Sequence, residues 1–172
     1  FVMIEVKFYD SNGAVIDTIF DLTMLDVLLV DRKSPFDIVL RDATQSANVD
    51  HYSIAVTFST TTPIATGLEI LAHSSYIDES ECMHIIGEIK NVANERARIV
   101  KVIATYYDAS GGAVAAELAY LDPIERDLDP GQTRPFEISL SEERTQYVKT
   151  YELTAESTQY AIILPDQCKL AL

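Results

Sequence analysis

The sequence predicts an all-β protein of two tandem antiparallel β-sandwich domains, the first lacking its leading strands. Three observations carry that expectation. The stretch Val2–Gly13 recurs as Val100–Gly111. Both copies alternate apolar with mixed residues, the period of two that places one face of a strand in a core. Each alternating stretch then runs into Asp-x-x-Gly, a turn in which the aspartate accepts backbone N–H bonds and the glycine takes positive φ without steric cost.

In the first copy Val2, Ile4, Val6 and Phe8 share a face, as do Val100, Val102, Ala104 and Tyr106 in the second. Asp10 to Gly13 and Asp108 to Gly111 close β-hairpins, whose returning strands open with Ala14-Val15 and Ala113-Val114. The match continues beyond them. Pro35-Phe36-Asp37-Ile38-Val39-Leu40 answers Pro135-Phe136-Glu137-Ile138-Ser139-Leu140, and Val49–Tyr52 answers Val148–Tyr151, the offset staying at 98 to 100 residues. Agreement across four segments marks an internal repeat of ordinary domain size. The expected domains are 1–63 and 64–158, followed by a C-terminal strand or tail over 159–172. Thr- and Pro-rich residues 59–67 read as the linker between them.

Elsewhere the copies diverge. Val27-Leu28-Leu29-Val30 reads as a strand buried on both faces, whereas the corresponding part of the second copy is more polar and carries Pro123. Pro130-Gly131 fits the two central positions of a type II turn. The polar stretches after Leu40 and Leu140 are loops with room for a single helical turn. Ahead of its repeat the second copy has two further strand candidates, Leu68–Leu71 and His84–Lys90, for which the first copy has no counterpart. Roughly thirty residues, the span of two strands and a turn, are therefore missing from the first sandwich. Either they lie outside this sequence or another chain supplies them. Exposed edges invite pairing, so the expectation is a protein partner or self-association, including a homodimer through exposed edge strands of the first domain.

A chain of 172 residues with 48% hydrophobic content can bury one or two cores. It contains no apolar run approaching the ~18 residues of a spanning helix. Its net charge of −14 would repel a phosphate backbone or an anionic membrane surface, which argues against nucleic acid as a partner.

Catalytic patterns are missing. No Gly-x-Ser-x-Gly elbow, P-loop or dinucleotide fingerprint occurs, and His51, His73 and His84 lack the spacing of zinc ligands. The expectation is no enzyme and no cofactor. Asp122, Glu125, Asp127 and Asp129 gather four carboxylates in one loop. Such hard oxygens suit calcium, although no EF-hand pattern accompanies them, and a solvated acidic loop is the other reading. Cys82 and Cys168 can join in an oxidising compartment, closing a long loop worth about 4–5 kcal/mol in the chain-entropy model, or remain two part-buried thiols.

With Gly87-Glu88-Ile89-Lys90-Asn91, Tyr107-Asp108 ahead of Gly111, Leu128-Asp129-Pro130-Gly131 and Phe136-Glu137-Ile138, the sequence resembles the FxLYD family over most of residues 68–158. Tyr-Asp is kept in both copies, while Ala104 and Val6 stand where that family has an aromatic residue. The resemblance implies tandem Ig-like β-sandwich domains of archaeal or bacterial envelope or secreted proteins. It further implies a non-catalytic module for protein interaction, adhesion or spacing, in which Asp10, Gly13, Asp108, Gly111, Pro130 and Gly131 are structural. A carbohydrate- or calcium-binding accessory domain of a larger secreted protein is the alternative.

Overall fold

The structure, a computed structural model, describes residues 1–122 and 125–163, together with the backbone of 169–171. It is nearly all-β, its only helices among the described residues being two of four residues each, and no helix is long and apolar enough to cross a membrane. The chain divides into two compact units, Phe1–Pro63 and Ile64–Leu172.

The first unit is built on three antiparallel strands, β1 (Val2–Tyr9), β2 (Val15–Leu22) and β3 (His51–Phe58), in the order β2-β1-β3. Ile4 and Val6 on β1 are buried, as the alternation requires. Before β3 comes a single helical turn, α1 (Ala43–Ser46), whose first free amides are met by Asp42: its carboxylate accepts from the N–H of Thr44 and of Gln45. Residues 27–30 do not form the strand expected of them. Val30 is 88% exposed, and the stretch from Thr23 to Arg41 holds no strand. Apolar content alone supplies no hydrogen-bond partner, and residues 27–30 join the ladder of none of the three strands. The segment is held instead by Met24 N–H to Pro35 O (2.9 Å) and Leu25 N–H to Ser34 Oγ (2.8 Å), with Leu25 buried.

The second unit carries β4 (Ala65–Ile77), β5 (Met83–Asn91), β6 (Lys101–Tyr107), β7 (Ala113–Tyr120), β8 (Thr133–Leu140), the helical turn α2 (Glu142–Thr145), β9 (Thr150–Glu156), β10 (Tyr160–Ile162) and β11 (Lys169–Ala171). Strand order is β7-β6-β9-β10-β4-β5-β8, with β11 on β9. Short β10 joins two arms, running antiparallel to β9 and parallel to β4. Alternate residues of both arms enter one apolar core: Met83, Ile85 and Ile89 of β5 and Phe136, Ile138 and Leu140 of β8 with Val102, Ala104 and Tyr106 of β6 and Tyr151, Leu153 and Ala155 of β9. A sheet whose two arms share a core must fold back on itself.

The repeat seen in sequence is a repeat in register. Val6 lies opposite Ile54 on β3 and Ala104 opposite Leu153 on β9, and both hairpins are bulged at the same place, between Phe8 and Tyr9 and between Tyr106 and Tyr107. The counterpart of β8 breaks the correspondence. Residues 33–40 carry β8's alternation yet form no strand. In the second unit β8 is hydrogen-bonded to β5, and the first unit has no strand in that place.

Candidate interaction surface

The turn residues singled out from sequence are used locally. Asp10 Oδ1 accepts from the N–H of Asn12 (2.9 Å) and Ala14 (2.8 Å), while Asp108 Oδ1 accepts from Ser110 N–H (2.8 Å), Ser110 Oγ (2.7 Å) and Gly112 N–H (2.9 Å). These bonds favour the charged form. The Ala14 amide chiefly holds Asp10 below the usual carboxylate range, and the Ser110 hydroxyl does most for Asp108. Gly13 and Gly111 follow at φ 81° and 82°. Gly131, at φ 76°, occupies the third position of a turn closed by Gln132 N–H to Asp129 O (3.0 Å).

A third turn of this geometry escaped the sequence reading. Asp78 Oδ1 accepts from Ser80 and Cys82 (both 2.9 Å), and Glu81 takes φ 60° where the other two turns have glycine. Its aspartate was the available signal, but the usual glycine was not there to complete it. Next to this turn His84 lies between two carboxylates, Nε2 at 3.2 Å from Asp78 Oδ2 and Nδ1 at 2.8 Å from Glu137 Oε1, with its ring stacked on Tyr76. Asp78 first, then Glu137, raise the imidazole's pKa above its ordinary value. The other histidines are also engaged: His51 stacks on Tyr9 beside Asp50, and His73 Nδ1 meets the Tyr151 hydroxyl at 2.8 Å.

The acidic loop is held by arginines. Arg96 Nε stands 3.3 Å from both Asp127 Oδ2 and Asp129 Oδ1, Arg134 pairs with Glu125, and Asp122 Oδ1 accepts from Glu125 N–H (3.0 Å). Among the described residues no group of three or more His, Cys, Asp or Glu side chains converges as a metal site. Cys82 is half-buried just ahead of β5, and Cys168 lies outside the described residues. An open cleft of about 570 Å³ on the second unit is lined by His73, Ile86, Gly87, Glu88 and Phe136, among others.

The least expected surface is on β3. Tyr52, Ile54, Val56 and Phe58 project from one side of the strand and are 62%, 47%, 56% and 74% exposed. Their counterparts on β9, Tyr151, Leu153 and Ala155, are at most 2% exposed. Strand β3 also ends its sheet, bonded to β1 alone among the described strands. Natural edge strands are blunted by charge, proline or a bulge. Residues 52–58 have no proline and no charged side chain, and they pair with β1 without a shift of register. Alternation in the sequence marked this segment as a strand, but an alternating strand looks the same whether or not a second layer covers it.

These features define a nearly all-β protein of two units with one unprotected apolar strand. No family model matches the chain. Over 71 residues, 41% of its length, the chain is 32% identical to an uncharacterized protein of Methanocaldococcus jannaschii. The match covers 50% of that protein, so the chain spans about half the length of this curated relative.

Proposed function

We propose that the chain is a non-catalytic module of an extracellular or cell-envelope protein, built of tandem Ig-like sandwiches of the FxLYD type and working in protein interaction, adhesion or spacing. The apolar row of β3 on a free strand edge is the observation that carries this reading, because main-chain pairing along an edge gives affinity and the alternate side chains give specificity. The tandem Ig-like reading is supported by the two arms β4-β5-β8 and β7-β6-β9 around one core, and by the first unit's three strands in the register of β7-β6-β9.

The chemistry of the polar residues favours the same conclusion. Asp10, Asp108 and Asp78 spend their carboxylates on their own turns, and Asp127, Asp129 and Glu125 on arginines. Surface labelling of the intact cells that make the protein tests the reading. A membrane-impermeant amine reagent should reach exposed Lys33 and Lys149 without lysis, and labelling only after lysis would overturn it.

A further inference from the structure

Alternation gives the arm β4-β5-β8 of the second unit a second face, turned away from the core. Ile85 and Ile89 of β5 and Phe136 and Ile138 of β8 are buried, so Ile86, Glu88, Pro135 and Glu137 stand on the opposite side. Register sets them in rows across the three strands: Ser74, Ile86 and Glu137 in one, Ala72, Glu88 and Pro135 in the next. Between these rows run His73, Gly87 and Phe136, which show the outer face only their backbone, since His73 turns inward to the Tyr151 hydroxyl and Phe136 to the core. Together with Leu121, just past β7, the three rows line the open cleft of about 570 Å³. The cleft is thus a groove across the strands, its walls two residues or about 7 Å apart. It is apolar at Ile86, Pro135 and Leu121.

Charge enters the groove from both walls. Glu88 and Glu137 are diagonal neighbours on adjacent strands, a placement with Cα atoms about 7–8 Å apart from which long side chains converge. Glu137 gives Oε1 to His84 Nδ1 at 2.8 Å, and Glu88 has no ion pair or hydrogen bond among the described residues. No aromatic face opens into the groove, which argues against a sugar: Phe136 is buried on the core side, and Tyr76 lies one row away against His84. From this we infer that the groove is a docking site for an arginine side chain presented by an extended segment of another protein. A guanidinium is planar and forked, so it can bond a carboxylate on each wall while its methylene stem covers Ile86 and Pro135. The cleft has the volume of a small-ligand pocket, room for the arginine and the residues on either side of it. A net charge of −14 draws a basic segment toward it. The inference adds a second surface, with its partner chemistry, to the interaction-module reading, and it depends neither on β3 nor on where the protein resides.

The probe is the blocked tripeptide acetyl-Val-Arg-Val-amide, titrated into the full 172-residue chain with its backbone amides followed by NMR. The expected result is saturable one-to-one binding with shifts centred on residues 72–74, 86–88 and 136–137. The same peptide with citrulline in place of arginine, equal in shape and without the charge, should bind about tenfold or more weakly. With lysine it should bind several-fold more weakly, a point charge replacing the fork. Glu88→Gln, and Ile86→Lys, which sets a resident cation in the groove, should each weaken the arginine peptide by about tenfold; both positions are exposed, so the fold is kept. Equal binding of the citrulline or the lysine peptide overturns the inference, as does unchanged affinity in either variant. Shifts as large over the Asp122–Asp129 loop as in the groove would mean general attraction to an acidic surface and overturn it too, as would no saturable binding up to about 10 mM peptide. Cell-surface labelling does not depend on these outcomes, so failure here leaves the module reading to its own test.

Discussion

Lys101 and Glu156 face each other across β6 and β9, Nζ 3.0 Å from Oε1, with side chains only 8% and 2% exposed. At the same two places the first unit pairs Met3 with Thr57, so the protein itself supplies a neutral replacement. Removing one member of a buried ion pair strands the other charge away from water and costs about 3–5 kcal/mol, whereas replacing both together is often neutral. Lys101→Met and Glu156→Thr should each lower the stability of the second unit by about that amount. The double variant should return to within about 1 kcal/mol of the parent, the residue of the difference being the smaller volume of threonine. The coupling between the two substitutions is then at least about 5 kcal/mol, which a double-mutant cycle measures directly. Urea unfolding with hydrogen exchange followed at the β6 and β9 amides isolates the second unit from the first. Single substitutions costing less than about 1 kcal/mol, or a double variant equal to their sum, would show that water reaches the pair and would refute the argument from burial.

Tyr106 has a fully buried hydroxyl with no hydrogen-bond partner among the described residues, and Phe8 occupies its place in the other repeat. Tyr106→Phe should leave thermal stability unchanged or raise it by up to about 1 kcal/mol, and a clear loss would reveal a partner for the hydroxyl. Glu81→Gly should stabilise the Asp78 turn by about 0.5–1 kcal/mol by relieving the positive φ of 60°. Gly111→Ala, at φ 82°, should cost about 1 kcal/mol or more; equal effects of the two in a denaturant titration would contradict the strain argument. His84 provides a pH test. Because its pKa is raised by Asp78 and Glu137, its contribution is fully present below the ordinary histidine value of about 6.5 and is lost as pH rises through the higher folded value. The difference in melting temperature between the parent and His84→Gln should therefore be largest on the acidic side of that window and fade above it. Asp78, with its pKa lowered first by the Cys82 amide and then by His84, acts in the opposite sense: its contribution is present above the ordinary aspartate value and lost as pH falls through the folded one. A difference that grows with alkalinity would overturn the assignment.

Local chemistry was legible in the sequence. Period-two alternation marked β1, β3, β6 and β9, and Asp-x-x-Gly placed both repeated hairpin turns, because a turn is decided by a carboxylate, a glycine and the backbone within five residues. Pro130-Gly131 was readable for the same reason. The Asp78 turn was not, since Glu81 adopts its positive φ under the constraint of the two strands it joins. Tertiary structure decided everything that depends on a distant partner. Phe36–Leu40 and Phe136–Leu140 have nearly the same pattern, yet only the second becomes a strand, because β5 meets its backbone. Val27–Val30 has apolar content and yet joins no strand ladder, although the sheet beside it ends in two edges. Likewise Ile54 and Leu153 occupy the same register position, one 47% exposed and the other 2%. Alternation states which side chains share a face, a property of the chain within one strand. Whether that face is a core or a surface is set by a layer contributed from elsewhere in the polypeptide, and no local pattern encodes its presence.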